Sequence, residues 1–123
     1  MLYAILCYNS EEAVAAWTRE EDDAVMARLD VVHQRLAADG KLGPAARLAF
    51  TADATTLRKG HQPPLVVDGP YAETKEQMLG FYLVDCESRG EAVAIAQELE
   101  RANPGAGGYE IRPVRLFLPG TAA

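Results

Sequence analysis

The sequence predicts an α+β fold: a ferredoxin-like sandwich in which helices pack on an antiparallel sheet and a β-hairpin is inserted in the middle. Two observations carry this prediction. The apolar segments follow the order strand, helix, several strands, helix, strand, which is the order of that fold with extra strands at its centre. The chain has 123 residues, 49% of them hydrophobic, which suffices for one domain with its own core.

Six short runs, rich in apolar and β-branched residues, are typical of strands. They lie at residues 1–8, about 47–51, 55–59, 65–68, 79–86 and 109–117. Between the third and fourth runs, the polar segment 59–64 contains a glycine and two prolines. Such a segment favours a turn, so these two strands are expected to form an antiparallel hairpin.

Two helices are predicted from their start signals. Thr18 and Ser88 are each followed three residues later by a glutamate, the capping-box pattern in which hydroxyl and carboxylate satisfy each other's free backbone amides. Apolar residues then recur at helical spacing, namely Val25, Met26, Leu29, Val32 and Leu36 in the first helix and Ala92, Val93, Ile95, Ala96 and Leu99 in the second. The first helix is expected to stop at Gly40 and the second at residues 103–105.

Charge and hydropathy exclude several classes of function. The formal net charge is −6, from 18 acidic and 12 basic residues, which argues against nucleic-acid binding because phosphate contacts need a basic face. No apolar run reaches the ~20 residues that span a bilayer, and the short apolar N-terminus has no basic segment before it. We therefore expect a soluble protein without membrane contact, and a cytoplasmic one because two buried free thiols fit a reducing compartment.

The cysteines and histidines do not predict a metal or cofactor site. Cys7 and Cys86 lie in or beside apolar runs, so two buried free thiols are expected, with a bridge between neighbouring strands as the alternative. The two histidines and two cysteines show no ligand spacing. Phosphate-loop, dinucleotide-binding and nucleophile-elbow motifs are also missing from the sequence, so no cofactor is expected.

Both faces of the central sheet are expected to be apolar. In the first strand Tyr3 and Ile5 alternate with Ala4 and Leu6, and residues 79–84 show the same lack of a polar side. Two helices cover only one face, and a monomer rarely leaves a large apolar face open. We expect a second copy of the chain to cover it in a homodimer; the alternative is that the inserted hairpin folds back over it.

The connection at residues 68–76 holds the candidate ligand-binding residues Asp68, Gly69, Glu73 and Lys75. It places four ionisable side chains behind a Gly-Pro corner, more than a strand connection needs. On a functional interpretation the loop overhangs a cleft and presents these side chains to a small polar ligand, with Asp68 also a candidate catalytic base. On a structural interpretation Asp68 accepts backbone hydrogen bonds in a turn, and the charges after it form a solvated surface loop or a single helical turn.

His33 is the second candidate catalytic residue. It lies at the edge of the apolar stripe of the first helix, one turn after Leu29. It is either a boundary histidine with a local hydrogen bond or an acid–base group, since histidine titrates near neutral pH. His61, in the polar turn of the hairpin, is expected to be exposed.

Residues 68–76 resemble the signature of the DGPF family, within the broader YCII-related group, with Tyr71 where that family usually has Phe. Residues 110–114 resemble the family's closing motif. The resemblance implies a ferredoxin-like fold assembled as a dimeric α+β barrel, and an association with alternative sigma factors. Some relatives are thought to use a His–Asp pair: its Asp maps onto Asp68, whereas its His maps near Leu29, one turn from His33.

These observations predict one YCII-related, DGPF-like domain at residues 1–118 and a loose tail at 119–123. We expect a dimer that binds a small polar metabolite near residues 68–70, in a regulatory or accessory role. The alternative is a cofactor-free enzyme that performs isomerisation, lactone or elimination chemistry, with Asp68 and His33 as its acid–base groups.

Overall fold

The computed structural model describes residues 1–122 and confirms the ferredoxin-like α+β architecture. The strands are β1 (Leu2–Asn9), β2 (Leu42–Arg47), β3 (Thr55–Arg58), β4 (Leu65–Asp68), β5 (Gln77–Asp85) and β6 (Gly108–Pro113). The helices are α1 (Glu11–Ala15), α2 (Arg19–Ala38) and α3 (Arg89–Ala102), and a single 3₁₀ turn spans Thr51–Asp53. Residues 119–122 form no helix or strand and are exposed, and Ala123, the end of the expected tail, lies outside the described residues.

The main sheet is antiparallel, with four strands in the order β2-β5-β1-β6. Tyr3 pairs with Val84, and Ile5 pairs with Tyr82 on one side and Ile111 on the other. This register places the odd-numbered residues of β1 on the same face as the even-numbered residues of β5. That face carries the helices, because Tyr3, Ile5 and Val84 belong to the buried core.

The predicted strand at 47–51 is wrong, because β2 lies earlier in the chain. Gly43 and Pro44 fall inside β2 and remove the usual strand signal. β2 is an edge strand whose register against β5 is irregular between Leu42 and Ala45, and such a strand tolerates a proline. Glycine is required at position 43, since a Cβ there would lie 2.8 Å from the carbonyl oxygen of Leu83.

Helices α2 and α3 start where the sequence predicts. Thr18 forms the complete capping box with Glu21, and both hydrogen bonds are 3.1 Å long. The Ser88 hydroxyl oxygen accepts a hydrogen bond from the backbone amide of Glu91. The reciprocal bond from the Ser88 amide to the Glu91 carboxylate is not formed, and this carboxylate lies 2.7 Å from Lys41 Nζ instead. The short helix α1 was not predicted, because five residues are too few to show helical periodicity.

The second face of the main sheet is not covered by the hairpin. Strands β3 and β4 form a separate two-stranded sheet, in which Leu57 and Val66 are 57% and 63% exposed. The apolar residues on its other face, Leu65 and Val67, are exposed as well. The alternative, in which the inserted hairpin folds back over the open face, therefore finds no support in the exposure of the hairpin's apolar residues.

The two thiols are free, Cys86 buried and Cys7 partly buried. Among the described residues, no helix is both long and apolar enough to cross a membrane.

Candidate functional site

A cavity of about 300 Å³ lies between helix α2 and the ends of strands β1, β2 and β5, and its lining is mainly apolar. The apolar and aromatic lining residues include Val14, Trp17, Val25, Met26, Leu29, Tyr82 and Tyr109. Ligand sites in proteins are concave, mostly apolar and about 300–1,000 Å³ in volume, with a few polar groups that orient the ligand. The cavity meets this description at the lower end of the range.

Irregular backbone in the sheet helps to form the cavity. The register of β1 against β5 shifts between Cys7 and Tyr8, and such bulges are common beside functional sites. Gly80 lies next to this shift, where a Cβ would come within 2.6 Å of the Ala46 carbonyl oxygen. Gly107, at the far side, has a φ of +108° and packs against the backbone of Tyr8 so closely that no side chain fits. The glycines therefore allow backbone segments to meet around the cavity.

His33 and Tyr82 form a hydrogen-bonded pair that lines the cavity. His33 comes from α2 and Tyr82 from the centre of β5, and the distance from His33 Nε2 to Tyr82 Oη is 2.7 Å. The two rings are tilted by 53° with their centroids 5.3 Å apart. Which atom donates depends on the imidazole tautomer.

Burial keeps this pair uncharged at neutral pH. It lowers the pKa of His33, an effect that the nearby Asp30 carboxylate partly opposes. It raises the pKa of Tyr82 to about 12. A neutral imidazole has one donor and one acceptor nitrogen, so the pair can exchange a proton or hydrogen-bond a polar ligand atom.

Other polar groups line the same cavity. Burial raises the pKa values of the Tyr109 hydroxyl and of the Cys7 thiol, the latter to about 12, so Cys7 is a poor nucleophile. The side-chain oxygen Oδ1 of Asn103 is buried and has no hydrogen-bond partner among the described residues. Arg47 and Glu100 add one positive and one negative side chain.

The structure places Asp68 and Gly69 in the hairpin, outside the cavity lining. Asp68 ends β4 and is exposed. The turn is closed by other groups: the Gly69 amide donates to Ala54 O and the Thr56 hydroxyl donates to Gly69 O, both at 2.8 Å. Gly69 has a φ of +117°, a backbone conformation that favours glycine at this corner.

Glu73 and Lys75 are exposed in the segment after the corner. This segment contains no helical turn, so the interpretation as a single helical turn is wrong. The Thr74 hydroxyl donates to the carbonyl of Glu76, and the Gln77 side chain donates to the carbonyl of Thr74. Lys75 borders a separate polar depression beside α1, which Glu11 and Glu12 also line. Of the residues selected from the sequence, only His33 therefore reaches the cavity, and one chain does not bring it together with Asp68.

Tyr82 is a candidate site residue that the sequence analysis did not select. Its aromatic ring fits the apolar pattern of the strand at 79–84, which indicates a buried residue and no chemical role. A signal was present nonetheless, because a tyrosine on the helix-facing side of a central strand needs a partner for its hydroxyl. The identity of that partner depends on a contact across 49 residues of sequence, which no local pattern shows.

A family model of the YCII-related domain matches residues 1–118. The chain belongs to the YCII-related domain family. It is 53% identical over 120 residues to an uncharacterized protein of Rhizobium meliloti (strain 1021), an alignment that covers 98% of this chain and 97% of the relative. The observed fold is consistent with the YCII-related family, and neither comparison assigns a chemical role to the residues of the cavity.

Proposed function

We propose that this YCII-related domain binds a small metabolite with an apolar body in the cavity, where the His33–Tyr82 pair serves as the polar anchor. The observation that supports the proposal is the 2.7 Å contact of these two neutral, partly buried groups within a mainly apolar lining. Apolar walls supply binding free energy, and a few fixed polar groups supply orientation. The Asn103 side-chain oxygen, which has no partner among the described residues, offers a further acceptor.

The proposal differs from the sequence-based expectation in its location. That expectation placed the ligand beside Asp68, Gly69, Glu73 and Lys75. Asp68, Glu73 and Lys75 are exposed on the hairpin and the loop after it, Gly69 is partly exposed, and none of the four lines the cavity. Their role in ligand binding stays a prediction, supported by the three charged side chains and by the polar depression that Lys75 borders.

A thermal-shift screen with aromatic and alicyclic metabolites tests the binding function. A ligand at ten times its Kd stabilises the native state by about 1.4 kcal/mol, which raises the melting temperature of a chain this size by roughly 5 °C. Met26→Trp, which places a bulky indole ring at a lining position, should abolish the rise in melting temperature. Val93→Trp is the matched control, since Val93 lies outside the lining and both residues are 38% exposed.

A screen without hits, or hits that stabilise Met26→Trp as much as the parent, would contradict the proposal. Hits that Val93→Trp also loses would show that the tryptophan disturbs the fold and not the cavity, and the cavity would then have no support from this experiment.

Proton transfer is a second candidate function, favoured by the lowered pKa of His33, which leaves an unprotonated base at neutral pH. In a single chain Tyr82, and not Asp68, is the partner of this base. Phenylpyruvate, an aromatic acid with acidic methylene hydrogens, is a suitable probe in D₂O. Faster deuterium exchange with the parent than with His33→Gln would support catalysis, and equal rates would contradict it.

The homodimer is also a proposal. Its support is the open face of the main sheet, where Ala4, Leu6 and Leu83 remain partly exposed and the hairpin does not cover them. Membership of the DGPF subfamily and a regulatory role linked to an alternative sigma factor rest on the resemblance of residues 68–76, and the geometry of the cavity does not bear on either.

A further inference from the structure

We propose that the ligand of the cavity is a small aromatic carboxylic acid whose carboxylate binds Arg47. This inference rests on the proposed binding function and names the class of its ligand. Arg47 ends strand β2, and it is the lining residue, among those that the structure describes, with a permanent positive charge.

The guanidinium of Arg47 has donors to spare. Its Nη2 donates to Asp22 Oδ1 at 2.8 Å, and the side chain is 52% exposed. A guanidinium carries five N–H donors in a planar fork that matches the two oxygens of a carboxylate. The contact with Asp22 uses one of these donors, so an incoming carboxylate can bind the same group without displacing Asp22.

The electrostatic surroundings make a cation at this position significant. The chain has a net charge of −6, and the first turn of α2 carries Glu20, Glu21 and Asp22, the last of which contacts Arg47. An anion is repelled by such a surface unless a positive group receives it. A cation that only formed a surface ion pair with Asp22 would contribute little to stability, because exposed ion pairs are weak.

The sheet register places Arg47 at a useful distance from the polar anchor. Arg47 pairs with Gly80, and Ala45 pairs with Tyr82, so Arg47 and Tyr82 are diagonal neighbours on one face of the sheet. Diagonal neighbours lie about 7–8 Å apart, with their Cβ atoms somewhat closer. One six-membered ring with polar substituents at opposite ends spans a gap of this kind. The carboxylate then binds Arg47, the ring contacts Trp17 and the other apolar lining, and the far substituent reaches the His33–Tyr82 pair.

Three pairs of probes that differ only in charge test the inference: 4-hydroxybenzoate, benzoate and phenylacetate, each against its primary amide. Kd values are measured by calorimetry or NMR titration at fixed low salt. We expect each acid to bind the parent about tenfold or more tightly than its amide, the size of one charge-assisted hydrogen-bonded contact. Arg47→Gln should remove this preference and leave amide binding unchanged.

Two variants serve as controls. Asp22→Asn removes the competing carboxylate and should leave the affinity for acids equal or higher. Arg19→Gln removes a positive charge at the start of α2, from an exposed side chain that does not line the cavity. This variant should keep the preference for acids.

The outcomes separate the two proposals. If amides bind as tightly as acids, or if Arg47→Gln keeps the preference for acids, the carboxylate assignment is wrong and the cavity remains a binding site. If neither acids nor amides bind, the carboxylate assignment fails together with the binding function on which it rests.

Discussion

His33 illustrates how the surroundings of a single residue decide its chemistry. In the sequence it is one histidine at the edge of an apolar stripe, compatible with a structural or a catalytic role. In the structure the Tyr82 hydroxyl lies 2.7 Å from Nε2, and burial lowers the pKa of the imidazole. Folding therefore favours the neutral form of the His33 imidazole, and the free energy of unfolding should depend on pH.

The lowered pKa of His33 predicts an acid-sensitive fold. Histidine in an unfolded chain has a pKa of about 6.5. Below that pH the unfolded chain therefore binds a proton at His33 more readily than the native protein does. The stabilisation is present above about pH 6.5 and is lost as the pH falls through the lowered native pKa. His33→Gln should weaken the fall in melting temperature between about pH 7.5 and 5, measured by circular dichroism.

The other histidine provides the control for that measurement. His61 is exposed in the hairpin turn, and His61→Gln should leave the pH profile of the parent unchanged. Identical profiles for His33→Gln and the parent would mean that the imidazole is solvated and not part of a neutral buried pair.

Gly69 is the residue at which the sequence-based prediction of a special backbone corner can be tested. Its φ of +117° excludes β-branched residues, although open space surrounds the position where a Cβ would lie. Gly69→Val should cost about 1–3 kcal/mol through backbone strain. Because β3 and β4 contact chiefly each other, the loss should appear first as faster amide hydrogen exchange at Thr56 and Val67.

Lys75→Ala is the companion variant, since Lys75 is exposed in the same loop and its removal should change stability by less than about 0.5 kcal/mol. Equal exchange rates in the two variants would show that the corner tolerates a side chain and that its glycine has no conformational role.

At the scale of elements, the sequence predicted those whose signals are local. Thr18 and Gly40 bracket α2 as expected, because a capping box and a glycine with a φ of +70° act within one turn of the helix. Strand β2 was misplaced because Gly43 and Pro44 contribute through their contacts with the neighbouring strand and not through strand propensity. The pairing of His33 with Tyr82 could not be predicted either, since it follows from the packing of α2 over the centre of β5.

The same reasoning explains why Asp68 and His33 were combined from the sequence alone. Both are ionisable residues next to apolar segments, and the family resemblance suggested a His–Asp pair. In the structure α2 lies on the four-stranded sheet, Asp68 belongs to the two-stranded hairpin, and Asp68 does not line the cavity that His33 lines. The local pattern of residues predicts the hairpin itself, but not its position relative to α2.

At the scale of the whole molecule, the open face of the sheet leads to a prediction on assembly. Leu83 lies on the face opposite Val84, which is part of the buried core, and it remains partly exposed. If a second copy covers this face, Leu83→Asp buries an unpaired carboxylate at a cost of several kcal/mol and should shift the mass in sedimentation from about twice 13.3 kDa to the monomer.

Val31→Asp is a control for this variant, because Val31 lies on α2 and is 69% exposed, away from the sheet. It should leave the mass unchanged. A parent protein that sediments as a monomer at micromolar concentration, or a folded Leu83→Asp variant that keeps the mass of a dimer, would contradict the proposal that this face is an interface.

The location of the binding site can be measured directly by NMR chemical-shift mapping of the ¹⁵N-labelled protein with a set of small aromatic acids, amides and phenols. If the cavity is the site, the largest shifts occur at amides of its lining, among them Leu29, His33, Gly80 and Gly107, while residues 68–76 stay unchanged and Asp68→Asn has no effect on affinity. Shifts confined to residues 68–76, with a cavity lining that does not respond and binding lost in Asp68→Asn, would contradict the assignment of the site to the cavity.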